Sequence, residues 1–333
     1  MALEPLPIAD SSGAKTIDLL RFVPDEHHEA FRSAVKSSLI ERTPNAFQSD
    51  GWSAATVEGV LKLNGKLAGK KIAEVGVGAG TVSIIVAAVS APEKLDVSDY
   101  VASHIDLTRS NVARVLSEKD AARFAYHEGS TNLLDWTKGG EDIDVLIACI
   151  PQVVKAPGVV DSLDDEANYI PDDVLAQLRS ADGSNGRQVV QSQKEFLANI
   201  RPDDFDLDLN MALLQQARES GVLSDDGFVC LTLGGRPGDA VLFELIRREG
   251  YEPNAVHTKI VRQDPHTDIA SLEAHEGHLK KLWPGYSFVF FEDQEATEPI
   301  GAARAAELLD AGQPVFHQIF IVQCKPVSNG AAI

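Results

Sequence analysis

Three observations predict an α/β fold built on a largely parallel sheet. Short apolar runs alternate with helix-spaced segments in the first half of the chain, a glycine-rich turn joins one such run to a helix, and the alternation resumes in the second half. With 333 residues, 44% of them hydrophobic, the chain has enough apolar surface for one large domain with additions.

In order, the segment "DEHHEAFRSAVKSSLIER" places Phe31, Val35 and Leu39 at helical spacing, so residues 1–55 are expected to form a helical N-terminal cap. Residues 56–333 then form the α/β domain. Its first half reads "KIAEVG" as a strand, "TVSIIVAAVSA" as a helix, "YVASHID" as a strand, "RSNVARVLSE" as a helix, and "RFAYHEG" and "IDVLIACI" as strands. Residues 155–205 break this pattern with acid-rich and Gly/Ser/Asn-rich sequence, an insertion expected to cover the active site or to carry no fixed structure. Beyond it, "LDLNMALLQQARESG" and "DAVLFELIRREG" read as helices closed by glycine. "GFVCLTLGG", "NAVHTKIVRQ", "YSFVFFED" and "FHQIFIVQCK" read as strands, with the helix "GAARAAELLDAG" before the last. No internal repeat is present.

The net charge of −20 opposes sequence-independent binding to phosphate backbones, so nucleic acid is not an expected partner. The start of the chain, rich in prolines and acids, lacks the basic and apolar pattern of a secretory signal, and no apolar run matches a bilayer. A cytoplasmic location without membrane contact is expected. Cys149, Cys230 and Cys324 lie in apolar strand-like contexts without a C-x-x-C pair, which argues for buried free thiols rather than disulfides or zinc ligands. His266, His275 and His278 make a bare H-x-x-H pattern read as solvated helix-face histidines, and no metal is expected.

The turn "AEVGVGAG" places Glu74 before Gly76, Gly78 and Gly80. Glycines there permit a tight turn and close ligand approach beside a helix N-terminus. The spacing is G-x-G-x-G with an acid in front, not the G-x-G-x-x-G of dinucleotide sites. It resembles the pattern of S-adenosylmethionine-dependent methyltransferases, which implies that Glu74 and the three glycines bind the methionine part of that cofactor. The resemblance further calls for an acid at the end of the second strand, to accept two hydrogen bonds from the ribose diol. Asp106 in "SHIDL" fits, with Asp96 and Asp99 as competitors if the strand lies earlier. Asn132 in "YHEGSTNLL" is the choice for the adenine side.

The fourth strand of that pattern ends in Cys149, Ile150, Pro151 and Gln152. Methyltransferases acting on nitrogen commonly carry Asn or Asp at the first of these positions, to hold the acceptor's N–H groups. A cysteine there, counted with the cofactor-binding residues, would leave such donors unpaired. A thioether sulfur has none. "ACIPQVV", "TLGGRPGDAVLFELIRREGY" and "TKIVRQDPHTDIASL" are similar to the methyltransferase portion of plant methionine S-methyltransferases. They are more similar still to the bacterial single-module enzymes that begin one route to dimethylsulfoniopropionate. The likeness runs from Phe47 through "DGWS" and Glu58 to "QIFIVQC", without the plant enzymes' aminotransferase-like extension and with a poor match over residues 155–205.

This resemblance implies a class I methyltransferase fold, Rossmann-like, with a seven-stranded mostly parallel sheet. It also implies S-adenosyl-L-methionine as co-substrate and L-methionine as acceptor. No general base is needed, because a thioether brings its own lone pair; alignment alone can contribute roughly 7 to 11 kcal/mol. Arg236 in "GGRPG" would take the substrate carboxylate through its planar fork. Gln152 would hold the amino or carboxylate group, Asp268 the ammonium, and Trp52 or Tyr169 would face the sulfonium charge. Rival readings are a methyltransferase for another small thioether, thiol or amino acid, and a noncatalytic cofactor-binding protein. The oligomeric state is not set by the sequence, and a homodimer is compatible with it.

Overall fold

The computed structural model describes residues 16–42, 50–129, 132–137, 142–150, 152, 189–263 and 269–327. A two-stranded antiparallel ribbon pairs β1 (Thr16–Asp18) with β2 (Leu39–Glu41), and helix α1 (His28–Ala34) lies between them. The helix predicted through Leu39 therefore stops at Ala34: Phe31 is buried as expected, but Val35 turns extended and bridges to Leu116. Helix α2 (Asp50–Leu61) runs across the boundary drawn at residue 55.

The central sheet alternates with its helices: β3 (Lys71–Val75), α3 (Thr81–Ser90), β4 (Lys94–Asp99), α4 (Ala102–Val115), α5 (Glu118–Ala121), β5 (Phe124–Glu128) and β6 (Ile143–Ala148). After the insertion come α6 (Gln193–Asn199), α7 (Asp208–Ser220), β7 (Leu223–Gly234), α8 (Asp239–Arg248), β8 (Tyr251–Arg262) and α9 (Ile269–Leu282). β9 (Phe290–Phe291), β10 (Pro299–Ile300), α10 (Ala302–Asp310) and β11 (Phe316–Pro326) complete the described chain.

Strands β5, β4, β3, β6 and β7 run parallel in the order β5-β4-β3-β6-β7, and β11 enters antiparallel between β7 and β8. They equal in number the seven strands that the resemblance implies, but the second is Lys94–Asp99 rather than "YVASHID", whose residues enter α4. The two-residue strands β9 and β10 extend the sheet to nine.

Helices cover both faces, so the strands are apolar on both sides, as buried parallel sheets require. One core packs Phe196, Phe205, Leu213, Leu242, Leu279 and Phe320 against one face, and the other packs Phe31, Val57, Ile84, Ile85, Val112 and Ile319 against the opposite one. Each fully buried side chain of this size contributes about 1.5 to 3 kcal/mol. Helix α3 is apolar nearly all round because the sheet lies on one side and α1 and α2 pack on the other. Gly221, in the left-handed region at φ 62°, closes α7 as read from the sequence.

Of the predicted insertion, residues 189–205 are described, and they pack into the domain. Val190 donates its backbone N–H to the Leu282 carbonyl, and Phe196, Ile200 and Phe205 are core residues. Composition hid this because the apolar anchors of α6 are spaced among polar residues.

Candidate functional site

Neighbouring connections from β3 and β6 leave the sheet in opposite directions, which opens a crevice at the strand ends. The glycine turn lies on one side of it. Gly76, Gly78 and Gly80 adopt φ values of 76°, 55° and 84°, a region costly for other residues. The turn is held from below. Gly76 and Val77 donate their N–H groups to the Ser98 carbonyl, Thr108 Oγ1 donates to the Gly78 carbonyl at 2.8 Å, and Asn111 Nδ2 donates to the Ala79 carbonyl at 2.9 Å.

A Cβ at Gly76 would stand 2.8 Å from Ile150 Cγ2, whereas one at Gly78 would point into open space. The turn thus keeps bare backbone with open space beside Gly78, at the N-terminus of α3. Glu74 lies beneath it, buried, accepting a hydrogen bond from the Ser83 hydroxyl. Burial, above all, and the nearby Asp99 push its carboxyl up to about 8.

The acid at the end of the second strand is Asp99, not Asp106. The strand is "KLDVSD", and "YVASHID" enters α4, where Asp106 is exposed and paired with Arg109 at 2.7 Å. Asp99 is buried at the crevice and accepts from the N–H groups of Gly78 at 2.8 Å and Val101 at 2.9 Å. His104 Nδ1 lies 3.2 Å from the same carboxylate. Asp96, the other competitor, sits lower in β4 between Lys94 and His127. Asn132 Oδ1 accepts the Leu134 N–H at 3.2 Å, a turn contact that gives asparagine a conformational reason to be there.

Across the crevice, Cys149 follows β6 within reach of the hydroxyls of Thr56 and Thr232, which are 3.0 Å apart. Burial pushes the thiol up to about 11, so it stays protonated near neutrality. Gln152 Oε1 accepts the Gly234 N–H at 2.5 Å, and its amide nitrogen has no partner among the described residues. A Cβ on Gly234 would lie 3.1 Å from Trp52 Cη2 and 3.3 Å from Gln152 Oε1, so these three residues form one wall.

Next to it opens a cleft lined by Gln152, Phe205, Gly234, Arg236, Leu272 and Phe288. Arg236 leaves β7 at the turn after Gly235, and its guanidinium makes no hydrogen bond or ion pair with the described residues. Burial lowers its pKa, and the field of Asp206 acts the other way.

The fold therefore gathers Trp52, Gln152 and Arg236 around Gly234, at the end of β7. Tyr169, Asp268, His266 and Pro151 lie outside the described residues. His275 Nε2 lies 2.5 Å from the Asp204 carbonyl, and no metal-binding cluster occurs among the described residues. Within the same limits, no helix is long and apolar enough to cross a membrane. Sequence reasoning missed Thr56, Thr232 and Phe205. Thr56 follows Trp52 by one helical turn and donates to its carbonyl at 2.9 Å, the only local signal among them.

The strand order with its reversed β11, the acid-led glycine turn and a buried acid closing β4 define the class I S-adenosylmethionine-dependent methyltransferase fold. No family model matches the sequence. The chain is similar to methionine S-methyltransferases: it is 26% identical over 304 residues to that of Zea mays and 25% identical over 303 residues to that of Arabidopsis thaliana. Each alignment covers 90% of this chain and 27% of the plant enzyme, so the chain spans little more than a quarter of these relatives. Among solved structures, YcgJ from Bacillus subtilis aligns over 81% of this chain and 98% of its own, at 10% identity and a TM-score of 0.41.

Proposed function

We propose that the chain is an S-methyltransferase that methylates the thioether sulfur of L-methionine, giving S-methyl-L-methionine and S-adenosylhomocysteine. The observation that carries this reading is Arg236, whose guanidinium makes no hydrogen bond or ion pair with the described residues and lines a cleft with Gln152 and Gly234, beside Trp52. A guanidinium near Asp206 but with no direct carboxylate partner among the described residues suits an α-carboxylate, and bidentate pairing makes it selective.

When bound, S-adenosyl-L-methionine supplies an electrophilic methyl group that a thioether lone pair takes without any proton moving. Glu74, the three glycines and Asp99 would hold it. Cys149 is neither a base nor a thiolate nucleophile at neutral pH, which agrees with an acceptor that needs neither. The Trp52 ring offers a face to sulfonium charge, worth about 0.5 to 2 kcal/mol. Water exclusion and alignment by these walls supply the remainder. In this reading the reaction begins a route to dimethylsulfoniopropionate, the enzyme is cytoplasmic, and neither nucleic acid nor membrane is a partner. A homodimer is the assembly that sedimentation would test.

Labelled cofactor incubated with methionine, homocysteine, methylthiopropylamine and glycine tests the reading. Methionine is expected to be the preferred acceptor. Absence of S-methylmethionine at saturating methionine overturns it, and transfer to homocysteine instead makes the chain a thiol methyltransferase. Arg236→Ala is expected to weaken methionine by at least about tenfold, the lower end of the cost of losing a charged hydrogen bond. S-adenosylhomocysteine binding should be unchanged in calorimetry, and equal loss of both would make Arg236 a structural residue.

A further inference from the structure

Strand β11 carries a polar residue where its pattern calls for an apolar one. Residues 317, 319 and 321 share one face of the strand, and Ile319 and Ile321 pack into the core beneath α2. His317 occupies the first of these positions at 2% exposure, and neither of its ring nitrogens has a hydrogen-bond partner among the described residues. Leaving such a group unsatisfied costs about 1 to 3 kcal/mol, which a leucine would avoid. The position is therefore costly unless something else meets the imidazole.

Strand direction says where that something would be. Because β11 runs antiparallel to β7, its first residues stand at the edge where β7 finishes. Gly234, the last residue of β7, pairs with Ile319, and His317 lies two residues further out, opposite Val261 of β8. Its ring centroid is 6.1 Å from that of Trp52, at an interplanar angle of 43°. Arg236 is close enough for its charge to act on the imidazole. His317 thus lies near two residues of the proposed acceptor site, and its imidazole makes no hydrogen bond to the described residues that an aliphatic side chain would forfeit. Burial first, and Arg236 second, hold its pKa well below the ordinary value, so the ring is neutral and presents one N–H donor.

We infer that His317 is a specificity-determining residue that donates its ring N–H to the α-carboxylate held by Arg236, an assignment that rests on the methionine reading above. A neutral donor suits this place, since a second cation beside Arg236 would be repelled. Paired donors around one carboxylate make the site reject a thioether lacking that group, because both donors would then be desolvated without a partner.

The test compares wild type with His317→Leu and His317→Gln, the amide of the latter retaining a donor. Methionine and S-adenosylhomocysteine affinities are measured by calorimetry, and kcat/KM is measured for methionine and for 3-methylthiopropylamine, which has no carboxylate. The expected result is a methionine affinity at least tenfold weaker in the leucine variant and partly restored in the glutamine variant. S-adenosylhomocysteine affinity should stay within twofold of wild type, 3-methylthiopropylamine turnover should hold or rise in the leucine variant because one unsatisfied donor is gone, and that variant should melt no lower. Unchanged methionine affinity in the leucine variant overturns the inference alone, as does an equal loss for both acceptors. Should the leucine variant fail to fold, the same comparison is read from glutamine and asparagine variants, and equal losses for both acceptors again overturn it. A wild type that does not bind methionine overturns the functional reading together with the inference.

Discussion

At the scale of single residues, Glu74 shows how the site is poised by burial. Its carboxyl titrates at about 8 in the folded chain against an ordinary value of 4.5, chiefly because the buried position disfavours charge. The folded state therefore holds a proton that the unfolded chain has released. Linkage then makes this group's contribution full below the ordinary carboxylate range and lost as pH rises through about 8. Glu74→Gln removes the titration, so the variant should gain stability relative to wild type as pH rises from 5 to 9 in thermal melts. A difference independent of pH would show that Glu74 is not protonated in the fold. Glu74 was legible in the sequence because its place before the glycines is a local spacing. Asp99 was not, because its role depends on where β4 ends.

At the scale of elements, the second strand shows why. "KLDVSD" interleaves Leu95 and Val97 with Asp96 and Ser98, and all four are buried. Such alternation implies one wet face, yet Asp96 is buried because Lys94 stands 3.0 Å and His127 2.8 Å away. Lys94 is local, but no local pattern reveals His127, which β5 supplies. "YVASHID" was misread because its branched and aromatic residues suit a strand, although His104, Ile105, Thr108 and Val112 share the buried side of a helix.

The glycine turn makes the opposite case, since its form is locally encoded. Gly76→Ala would place a methyl 2.8 Å from Ile150 Cγ2 at a φ of 76°. Left-handed strain of this kind costs about 1 to 3 kcal/mol. The variant should melt lower and lose S-adenosylhomocysteine affinity in calorimetry. Wild-type affinity would mean that the turn is not part of the cofactor site.

At the scale of the whole molecule, the charge of −20 makes self-repulsion a standing cost of compactness. Raising the ionic strength from about 0.01 M to about 0.1 M shortens the screening length from about 30 Å to about 10 Å. The melting temperature should therefore rise over that range, measured at constant pH. A fall would show that surface pairs such as Arg304 with Glu292 outweigh the repulsion. The sequence by itself determined the strand and helix alternation, the acid-led glycine turn, and the apolar strand that ends in Cys149, Ile150 and Gln152. These are matters of periodicity and backbone sterics, which neighbouring residues carry. Only the tertiary structure decided that Asp99 accepts from the glycine turn, that Gln152 and Arg236 line one cleft, and that Trp52 and His317 lie beside it. The last four come from four distant segments, and their meeting depends on strand order and on the reversed direction of β11, which no short stretch of sequence encodes.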